Sequence, residues 1–363
     1  MKVVIIDGTS DDKIRAEILP IANLPEIEEI FLVRRQPLRM PKVTSYAPPA
    51  AIRRILILAE PYRLFSLIYI GLIKKPDIYI GIYFILHGLF AWIAGRLFGK
   101  PVIQYLIGTD RPKVEASKLF LRILNDAQFV GVRGKASENQ LVNLGIKPEK
   151  FFVPTGVNVL DFEHFKPSLE KKNYDLIYIG RLDKNKQVQK IIRAAGQVFQ
   201  ARPNLKVSLV GDGPERSILE KLVIELGLVD VVTFLGSQPY DEVPNRLNEA
   251  RIFMMASDFE GLPVAMLEAL CCGLPVVVPN VGDILDVARH GENALVVDPP
   301  SVDGFAQALS ALLADRFLYS RLASGALASR EKFMIEYSID RAEEIWRSVL
   351  STKIITKKGN IYK

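Results

Sequence analysis

The amino-acid sequence predicts an α/β protein made of two doubly wound parallel sheets. Three observations lead to this prediction. The chain has 363 residues, which is too many for one ordinary hydrophobic core. Short apolar segments rich in β-branched residues alternate with segments of helical period, a pattern that forms parallel sheets with right-handed crossovers. A stretch containing Pro and Gly, residues 153–175, interrupts the alternation near the middle and divides it into two series.

In the first half, strands are predicted in the apolar segments "KVVIID", "EEIFLV", "DIYIGIY", "PVIQYLI" and "AQFVGV". The first of these is too short in its apolar stretch to predict a signal peptide. Residues 78–95, "IYIGIYFILHGLFAWIAG", contain no Lys, Arg, Asp or Glu and have the length of a membrane span. Their β-branched and aromatic start, followed by a helical pattern from Leu86 to Phe98, favours a buried strand followed by a packed helix.

In the second half, strands are predicted in "YDLIYIG", "KVSLVG", "VVTFLG", "RIFMMA", "PVVVP" and "ALVVD", with helical period over residues 188–200 and 215–226. The predicted domains are therefore residues 1–165 and 166–330. Residues 331–352 have helical patterning without a strand, and we expect them to pack back toward the first domain. Residues 353–363 are expected to form a tail.

The positive charge of the chain is concentrated in its first half. Residues 1–165 hold 22 Lys and Arg against 16 Asp and Glu, whereas the remainder holds 25 of each, so the whole net charge of +6 belongs to the first half. Basic clusters such as "VRRQPLR" beside apolar segments suit an anionic membrane surface, or they simply solubilise an apolar domain. No nucleic-acid recognition motif accompanies them. The two cysteines, Cys271 and Cys272, are adjacent, which excludes a disulfide framework and favours a reducing, cytoplasmic compartment.

Two glutamates, Glu260 and Glu268, flank the apolar segment "GLPVAML". Pro263 suits the first position of a helix, and Gly261 allows the backbone to approach a ligand closely. Glu260 would then lie in the loop before the helix and Glu268 inside it, with the free amides of the helix N-terminus between them. This arrangement suits a ligand with an anionic centre and hydroxyl groups at both ends, such as a nucleotide sugar. The alternative is two ordinary surface acids on an amphipathic helix.

A second element, "IYIGRLDKNK", ends a predicted strand at Gly180 and continues with Arg181 and Lys186. Ligands bind at the carboxyl ends of strands in open α/β sheets, so these cations are placed to neutralise a diphosphate. By itself, a loop with Arg and Lys is explained by solvation. The combination with the two glutamates favours a ligand site.

These elements, together with four further segments, resemble the retaining glycosyltransferases of family four, which have the two-domain GT-B fold. The resemblance covers nearly the whole second half of the chain. It rests on "VPTGVN", "IGRLDKNKQ", "LVGDGPE", "VTFLGSQP", "SDFEGLPVAMLEALCCGLPVVVPNVGD" and "HGENALVVDP". It implies two Rossmann-like domains facing a cleft, the first on the acceptor side and the second holding the nucleotide-sugar donor.

The resemblance also implies a role for each donor-side residue. Glu260 would contact the transferred sugar, and Glu268 the ribose. Arg181 and Lys186 would hold the diphosphate and act with Glu260 in catalysis. The backbone would complete the donor site, at Gly180, Gly261, Leu262, Pro263 and Val264, and the loop of Gly236, Ser237 and Gln238 would border the base.

The sequence departs from the family pattern at several positions. Gln187 stands where the family usually has glycine, Asn158 replaces an aspartate, and Asp283 replaces the second glycine of a pair. In the first half, Ile107 precedes a glycine where the family often has histidine. The first loop offers the single glycine Gly8 where the family often has two.

Three residues of the first half are candidates for the acceptor side: Gly8, His87 and Asp110. His87 falls at a junction between a predicted strand and a helix. It either touches the sugar or acceptor, or it is a half-buried histidine satisfied by its neighbours.

The sequence therefore predicts a retaining, metal-independent glycosyltransferase that moves a hexose from a nucleoside-diphosphate sugar, with a UDP-sugar favoured. The acceptor would be a saccharide or a lipid-linked molecule, in polysaccharide or glycolipid assembly. No cofactor and no metal are expected, because the chain contains no Asp-x-Asp pair. The expected location is cytoplasmic, peripheral on an anionic membrane surface, with no nucleic-acid partner. The alternatives are a GT-B nucleotide-sugar epimerase or a non-catalytic nucleotide-sugar-binding protein at the membrane surface.

Overall fold

The computed structural model describes residues 1–8, 11–82, 84–106, 117–154, 161–168 and 172–358. The chain divides into two compact units. The first unit comprises Met1–Val159 together with Tyr337–Lys363, and the second comprises Leu160–Glu336. The first contains a seven-stranded sheet and the second a six-stranded sheet, and all their strand pairings are parallel. The predicted fold class, two parallel α/β sheets, is confirmed.

The elements of the first unit follow the alternation expected of a doubly wound sheet. They are β1 Lys2–Ile6, α1 Asp11–Asn23, β2 Glu29–Val33, β3 Val43–Tyr46, α2 Leu56–Ile73, β4 Ile78–Ile82, a π-helical turn Phe84–Gly88, α3 Leu89–Leu97, β5 Val102–Tyr105, α4 Lys118–Asp126, β6 Phe129–Gly131, α5 Lys135–Asn143 and β7 Phe151–Phe152. The strand order is β3-β2-β1-β4-β5-β6-β7. The order therefore reverses between β1 and β4.

The segment that has the length of a membrane span contains a strand and a helix, as predicted. All five residues of β4 are buried, since the strand is covered on both faces, and this explains its uninterrupted apolar sequence. The helix begins at Leu89, after the π-helical turn, and not at Leu86 as the pattern predicted.

The strands β3 and β7 are absent from the sequence prediction. The strand β3, "VTSY", lies at the sheet edge and is partly exposed, while β7 has only two residues. Neither produces the apolar run by which a central strand is recognised.

The second unit contains β8 Tyr174–Ile179, α6 Val188–Ala201, β9 Val207–Val210, α7 Arg216–Glu225, β10 Val232–Gly236, α8 Val243–Asn248, β11 Ala250–Met254, α9 Val264–Cys271, β12 Val276–Pro279, β13 Ala294–Val297, α10 Val302–Ala314 and α11 Arg316–Glu336. The strand order is β10-β9-β8-β11-β12-β13, which reverses between β8 and β11. In such sheets the ligand crevice lies outside the carboxyl ends of the two strands at the reversal.

The last helix, α12 Ile339–Lys358, belongs to the first unit. Its Trp346 is 2% exposed and meets the ring of Phe152 edge-on, with centroids 5.3 Å apart. Val349 and Leu350 join the same core, which also contains Val3 and Ile5 of β1. The core of the first unit is therefore built from both ends of the chain.

Among the described residues, one helix is long and apolar enough to cross a membrane. It is α2, with a mean hydropathy of 1.6 and 33% of its residues buried.

Candidate functional site

The loops after β8 and β11 are joined by an ion pair at the strand reversal of the second unit. Lys186 Nζ lies 2.5 Å from Glu260 Oε1, and the two side chains are only 25% and 10% exposed. Lys186 is the last residue of the 3₁₀ turn Lys184–Lys186. Its backbone amide donates to the side chain of Asp183, which is the N-cap residue of this turn. A cation and a carboxylate from two separate loops thus meet where the fold binds ligands.

Further hydrogen bonds hold the same two loops together. The Asn185 side chain donates to the Phe259 carbonyl at 2.9 Å, and the Asp258 amide donates to the Asn185 carbonyl at 2.9 Å. The Gln187 side chain donates to Asp258 Oδ2 at 2.6 Å, and Lys190 Nζ donates to Oδ1 at 3.1 Å. The loops therefore form one cross-linked structure.

The backbone of Gln187 explains why a glycine suits this position. Its φ of +49° and ψ of +37° place it in the left-handed region, which costs a residue with a Cβ about 1 kcal/mol. The bond from its side chain to Asp258 offsets part of that cost.

Glu268 lies within α9, and its carboxyl group is almost completely buried. The residue is 7% exposed, and its helical neighbours Met266, Leu267, Ala269 and Leu270 are buried and apolar. Burial raises the pKa of Glu268 to about 7. No hydrogen bond from a described residue reaches this carboxyl group. Since Glu260 is also only 9% exposed, the interpretation of the pair as ordinary surface acids is wrong.

The N-terminus of α9 lies between the two glutamates along the chain. Pro263 is the N-cap residue, one position before the predicted one, and no side chain caps the helix. Of the described residues, none accepts a hydrogen bond from the amides of Val264 or Ala265, which are therefore free to bind an anion. Next to this turn, Gly282 has φ +58°, and a Cβ on it would collide with the Glu260 carbonyl. The loop after β12 thus supports the backbone of Glu260.

Arg181 lies in the same loop as Lys186 but is held much more loosely. Its side chain is 70% exposed, and its Nε is 3.6 Å from Asp183 Oδ2. The preceding glycine, Gly180, leaves room for a neighbour, because a Cβ there would lie 2.6 Å from the Tyr178 hydroxyl. That hydroxyl donates to the Arg181 carbonyl at 2.8 Å. The backbone of Arg181 is therefore fixed while its guanidinium faces solvent.

The predicted base-binding loop lies at the outer edge of the same sheet. Gly236 ends β10 with φ +69°, Ser237 is exposed, and the side chain of Gln238 donates to the Leu235 carbonyl at 2.7 Å. β10 is two strands from β8 in the sheet order, which is roughly 10 Å. That spacing matches an extended ligand lying across the carboxyl ends of the strands.

In the first unit, the corresponding strand reversal holds a buried polar cluster. His87 Nδ1 is 3.0 Å from the Ile82 carbonyl, and its Nε2 is 3.0 Å from Nη1 of Arg63. A carbonyl can only accept and a guanidinium can only donate, so Nδ1 carries the proton and Nε2 accepts. Arg63, on α2, is fully buried and also bonds to Glu60 and to the Asp7 carbonyl.

Gly8 and His87 are adjacent in this cluster. A Cβ on Gly8 would overlap the imidazole ring of His87, so the first loop and the π-helical turn are closely packed. Asp110, the third acceptor-side candidate, lies outside the described residues.

The family model "Glycosyl transferases group 1" matches residues 160–328, which include both loops of the ion pair and the helix of Glu268. This part of the chain is therefore a group 1 glycosyltransferase domain. Relatives of the chain include the N-acetyl-alpha-D-glucosaminyl L-malate synthase of Bacillus anthracis, 29% identical over 74% of this chain and 74% of that protein. The D-inositol 3-phosphate glycosyltransferase of Thermobispora bispora is 26% identical over 73% of this chain and 69% of that protein.

Solved structures with the same fold cover nearly all of the chain. Anabaena Alr3699/HepE in complex with UDP has a TM-score of 0.77 at 20% identity, covering 97% of this chain and 100% of that one. Sucrose-phosphate synthase from Thermosynechococcus elongatus has a TM-score of 0.79 at 19% identity, with the same coverage. The GT-B fold implied by the sequence is confirmed.

Several residues that hold the two loops of the candidate donor site, or the polar cluster of the first unit, were missed in the sequence. They are Asp183, Asn185, Asp258 and Gly282 in the second unit, and Arg63 in the first. Each acts on a residue distant in the chain or through the backbone, so no local pattern marks it. No group of three or more His, Cys, Asp or Glu side chains that could hold a metal ion occurs in the part of the chain that the structure describes.

Proposed function

We propose that this glycosyltransferase transfers a hexose from a nucleoside-diphosphate sugar, with UDP as the favoured nucleotide, and retains the anomeric configuration. The observation that carries the proposal is the pair Lys186–Glu260, 2.5 Å apart and mostly buried, on loops that meet at the strand reversal. The complexes of Anabaena Alr3699/HepE with UDP and UDP-glucose support the choice of UDP.

In the proposed complex, the diphosphate lies against the free amides at the N-terminus of α9, with Lys186 and Arg181 beside it. Glu260 accepts hydrogen bonds from the hydroxyl groups of the transferred sugar, and Glu268 from those of the ribose. Gly236, Ser237 and Gln238 border the base. Without donor, Glu260 neutralises Lys186, which keeps the ammonium group in place for the diphosphate.

The reaction we propose takes place on one face of the sugar. The bond between the anomeric carbon and the diphosphate oxygen breaks, and the acceptor oxygen bonds to the same face of that carbon. The acceptor proton passes to the departing diphosphate oxygen, and nucleoside diphosphate leaves. Lys186 and Arg181 stabilise the negative charge that develops on the leaving group. Because two side-chain cations supply this charge, we expect chelators to leave turnover unchanged.

We also propose that the acceptor is a saccharide or a lipid-linked molecule used in polysaccharide or glycolipid assembly, and that the enzyme works at the cytoplasmic face of a membrane. The net charge of +6 in residues 1–165 supports this location.

The test is nucleoside-diphosphate release from a panel of nucleotide sugars, comparing Lys186→Met with Lys184→Met. Lys184 is the exposed lysine two positions earlier, so its variant controls for the loss of a charge from this loop. We expect Lys186→Met to lower kcat by roughly 10²–10³-fold, as for the removal of one preorganised group that stabilises transition-state charge. Lys184→Met should retain activity.

Equal activity of the two variants would contradict the role of Lys186. Activity that disappears with a chelator and returns with magnesium or manganese would contradict metal independence. An inverted anomeric product, read by NMR, would contradict retention.

A further inference from the structure

Helix α2 presents a broad apolar face to the solvent. Exposed apolar side chains recur on this face from its first to its last turn. The most exposed on this face are Ile57 at 80%, Phe65 at 69%, Ile73 at 61%, Leu72 at 60% and Tyr69 at 51%. Several exposed apolar side chains along one helix face indicate a binding surface, whereas single exposed apolar residues are ordinary.

The opposite face of α2 holds the helix on the sheet of the first unit. Leu67 and Ile70 belong to a core cluster that also contains residues of β1, β2 and β4. Arg63 on this face is fully buried in bonds to Glu60, His87 and the Asp7 carbonyl. Leaving the sheet to span a bilayer would break this cluster and expose the guanidinium to hydrocarbon. The helix can therefore only bind a surface sideways, with its outer face.

The charges around the apolar face identify the surface that it suits. Arg53 and Arg54 precede the helix, and Lys74 and Lys75 follow it. The acid within the helix, Glu60, is paired with Arg35 and Arg63. The apolar face thus has cations at both ends, which complements the head groups of anionic lipids.

A second copy of the chain fits this face poorly. Two α2 helices packed side by side would bring cationic ends together in either orientation, because both ends carry the same charge. Like charges opposed across an interface disfavour association.

We propose that α2 lies in the plane of an anionic bilayer surface, with Ile57, Phe65 and Leu72 below the head groups and Arg54 and Lys75 among the phosphates. The helix reaches His87 and the end of β1 through Arg63, so the carboxyl edge of the first sheet lies next to the membrane. The acceptor is therefore carried by the membrane. This last step rests on the proposed function, whereas bilayer binding by α2 does not.

The test is flotation of the full chain with vesicles of phosphatidylcholine alone or mixed with phosphatidylglycerol. We expect wild-type protein to float with the mixed vesicles at low salt, and weakly with phosphatidylcholine or at high salt. The double variant Ile57→Ser/Phe65→Ser should bind at least about tenfold less, because two apolar side chains are lost from the interface. Arg54→Gln/Lys75→Gln should lose the preference for anionic vesicles.

The matched control is Phe317→Ser, which removes a 91% exposed phenylalanine from the second unit and should float like wild type. Circular dichroism checks that each variant is folded. Equal flotation of wild type and Ile57→Ser/Phe65→Ser would overturn the proposal. So would a dimer in size-exclusion chromatography without lipid that the double variant abolishes, together with no vesicle binding.

Binding of UDP-glucose, measured by calorimetry without vesicles, separates this inference from the proposed donor chemistry, because donor binding needs no acceptor. If the chain binds UDP-glucose but ignores anionic vesicles, the membrane inference and the proposed membrane location fail while the proposed donor chemistry stands. If it binds vesicles through α2 but binds no nucleotide sugar, the proposed sugar transfer fails and bilayer binding by α2 stands.

Discussion

The carboxyl group of Glu268 is buried in an apolar helix without a described partner, an arrangement that costs free energy in the protein without ligand. Burial disfavours the charged form and raises the pKa to about 7 from an ordinary value of 4.5. A ligand that donates hydrogen bonds to the carboxylate would recover this cost. The residue is therefore poised to favour a ligand with hydroxyl groups, as we propose for the ribose.

Because of Glu268, the free energy of unfolding should fall with rising pH while the affinity for the sugar donor rises. Between pH 4.5 and 7 the folded protein binds more protons here than the unfolded chain. The free energy of unfolding therefore falls as pH rises through this window, by roughly 3 kcal/mol in total. Affinity for UDP-glucose should rise over the same window, because the carboxylate is the better acceptor. Denaturant titration and calorimetry measure the two quantities.

The control for this prediction is Glu268→Gln, which should flatten both pH profiles while keeping the size of the side chain. UDP-glucose is a better probe than UDP, whose terminal phosphate ionises in the same range. A donor affinity that falls with rising pH in wild type would contradict the role of Glu268.

At the scale of the elements, the sequence predicted the central strands and the local motifs but not the contacts between distant segments. Strands such as β4 are recognisable because they are buried on both faces, whereas β3 is partly exposed at the sheet edge. The spacing of Glu260 and Glu268 lies within one loop and helix. The partner of Glu260, by contrast, is 74 residues away, and pairing over such a distance depends on the order of strands in the sheet.

The cross-link between the loops after β8 and β11 should matter more for donor binding than for stability. Asp258→Ala removes the bonds to Gln187 and Lys190. Since the Asp258 side chain is 53% exposed, we expect a loss of stability of only about 1 kcal/mol. The KM for the donor should rise several-fold, because Lys186 and Glu260 are then held less firmly.

Asp303→Ala is the matched control for this variant. Asp303 accepts a bond of 2.7 Å from Gln197 elsewhere in the second unit, so its loss should affect stability alone. Similar KM values for the two variants would show that the cross-link does not organise the donor site.

At the scale of the whole molecule, each unit has its own hydrophobic core. The two tryptophans of the chain, Trp92 and Trp346, both belong to the first unit. Tryptophan fluorescence therefore reports the unfolding of the first unit, whereas far-UV circular dichroism reports both. The two signals need not change together, because a chain with two cores departs from two-state unfolding.

Saturating UDP-glucose should stabilise the second unit by about 2.7 kcal/mol at a concentration of 100 times the Kd. We expect the circular-dichroism transition to move to higher temperature while the fluorescence transition stays in place. Glucose alone, which lacks the nucleotide, serves as the control. A shift of the fluorescence transition equal to that of the dichroism would contradict separate stabilisation.

The composition of the first unit, residues 1–159 and 337–363, has a consequence for biosynthesis. A ribosome adds about 5–20 residues per second, so on the order of ten to forty seconds pass between the synthesis of β7 and that of α12. During this interval Trp346 has not yet been synthesised, so the apolar surface of Phe152 and the neighbouring strands is uncovered. That surface can then bind chaperones or aggregate. The second unit, whose residues are continuous, can fold meanwhile. The part of the protein that is made first is therefore the last to be completed.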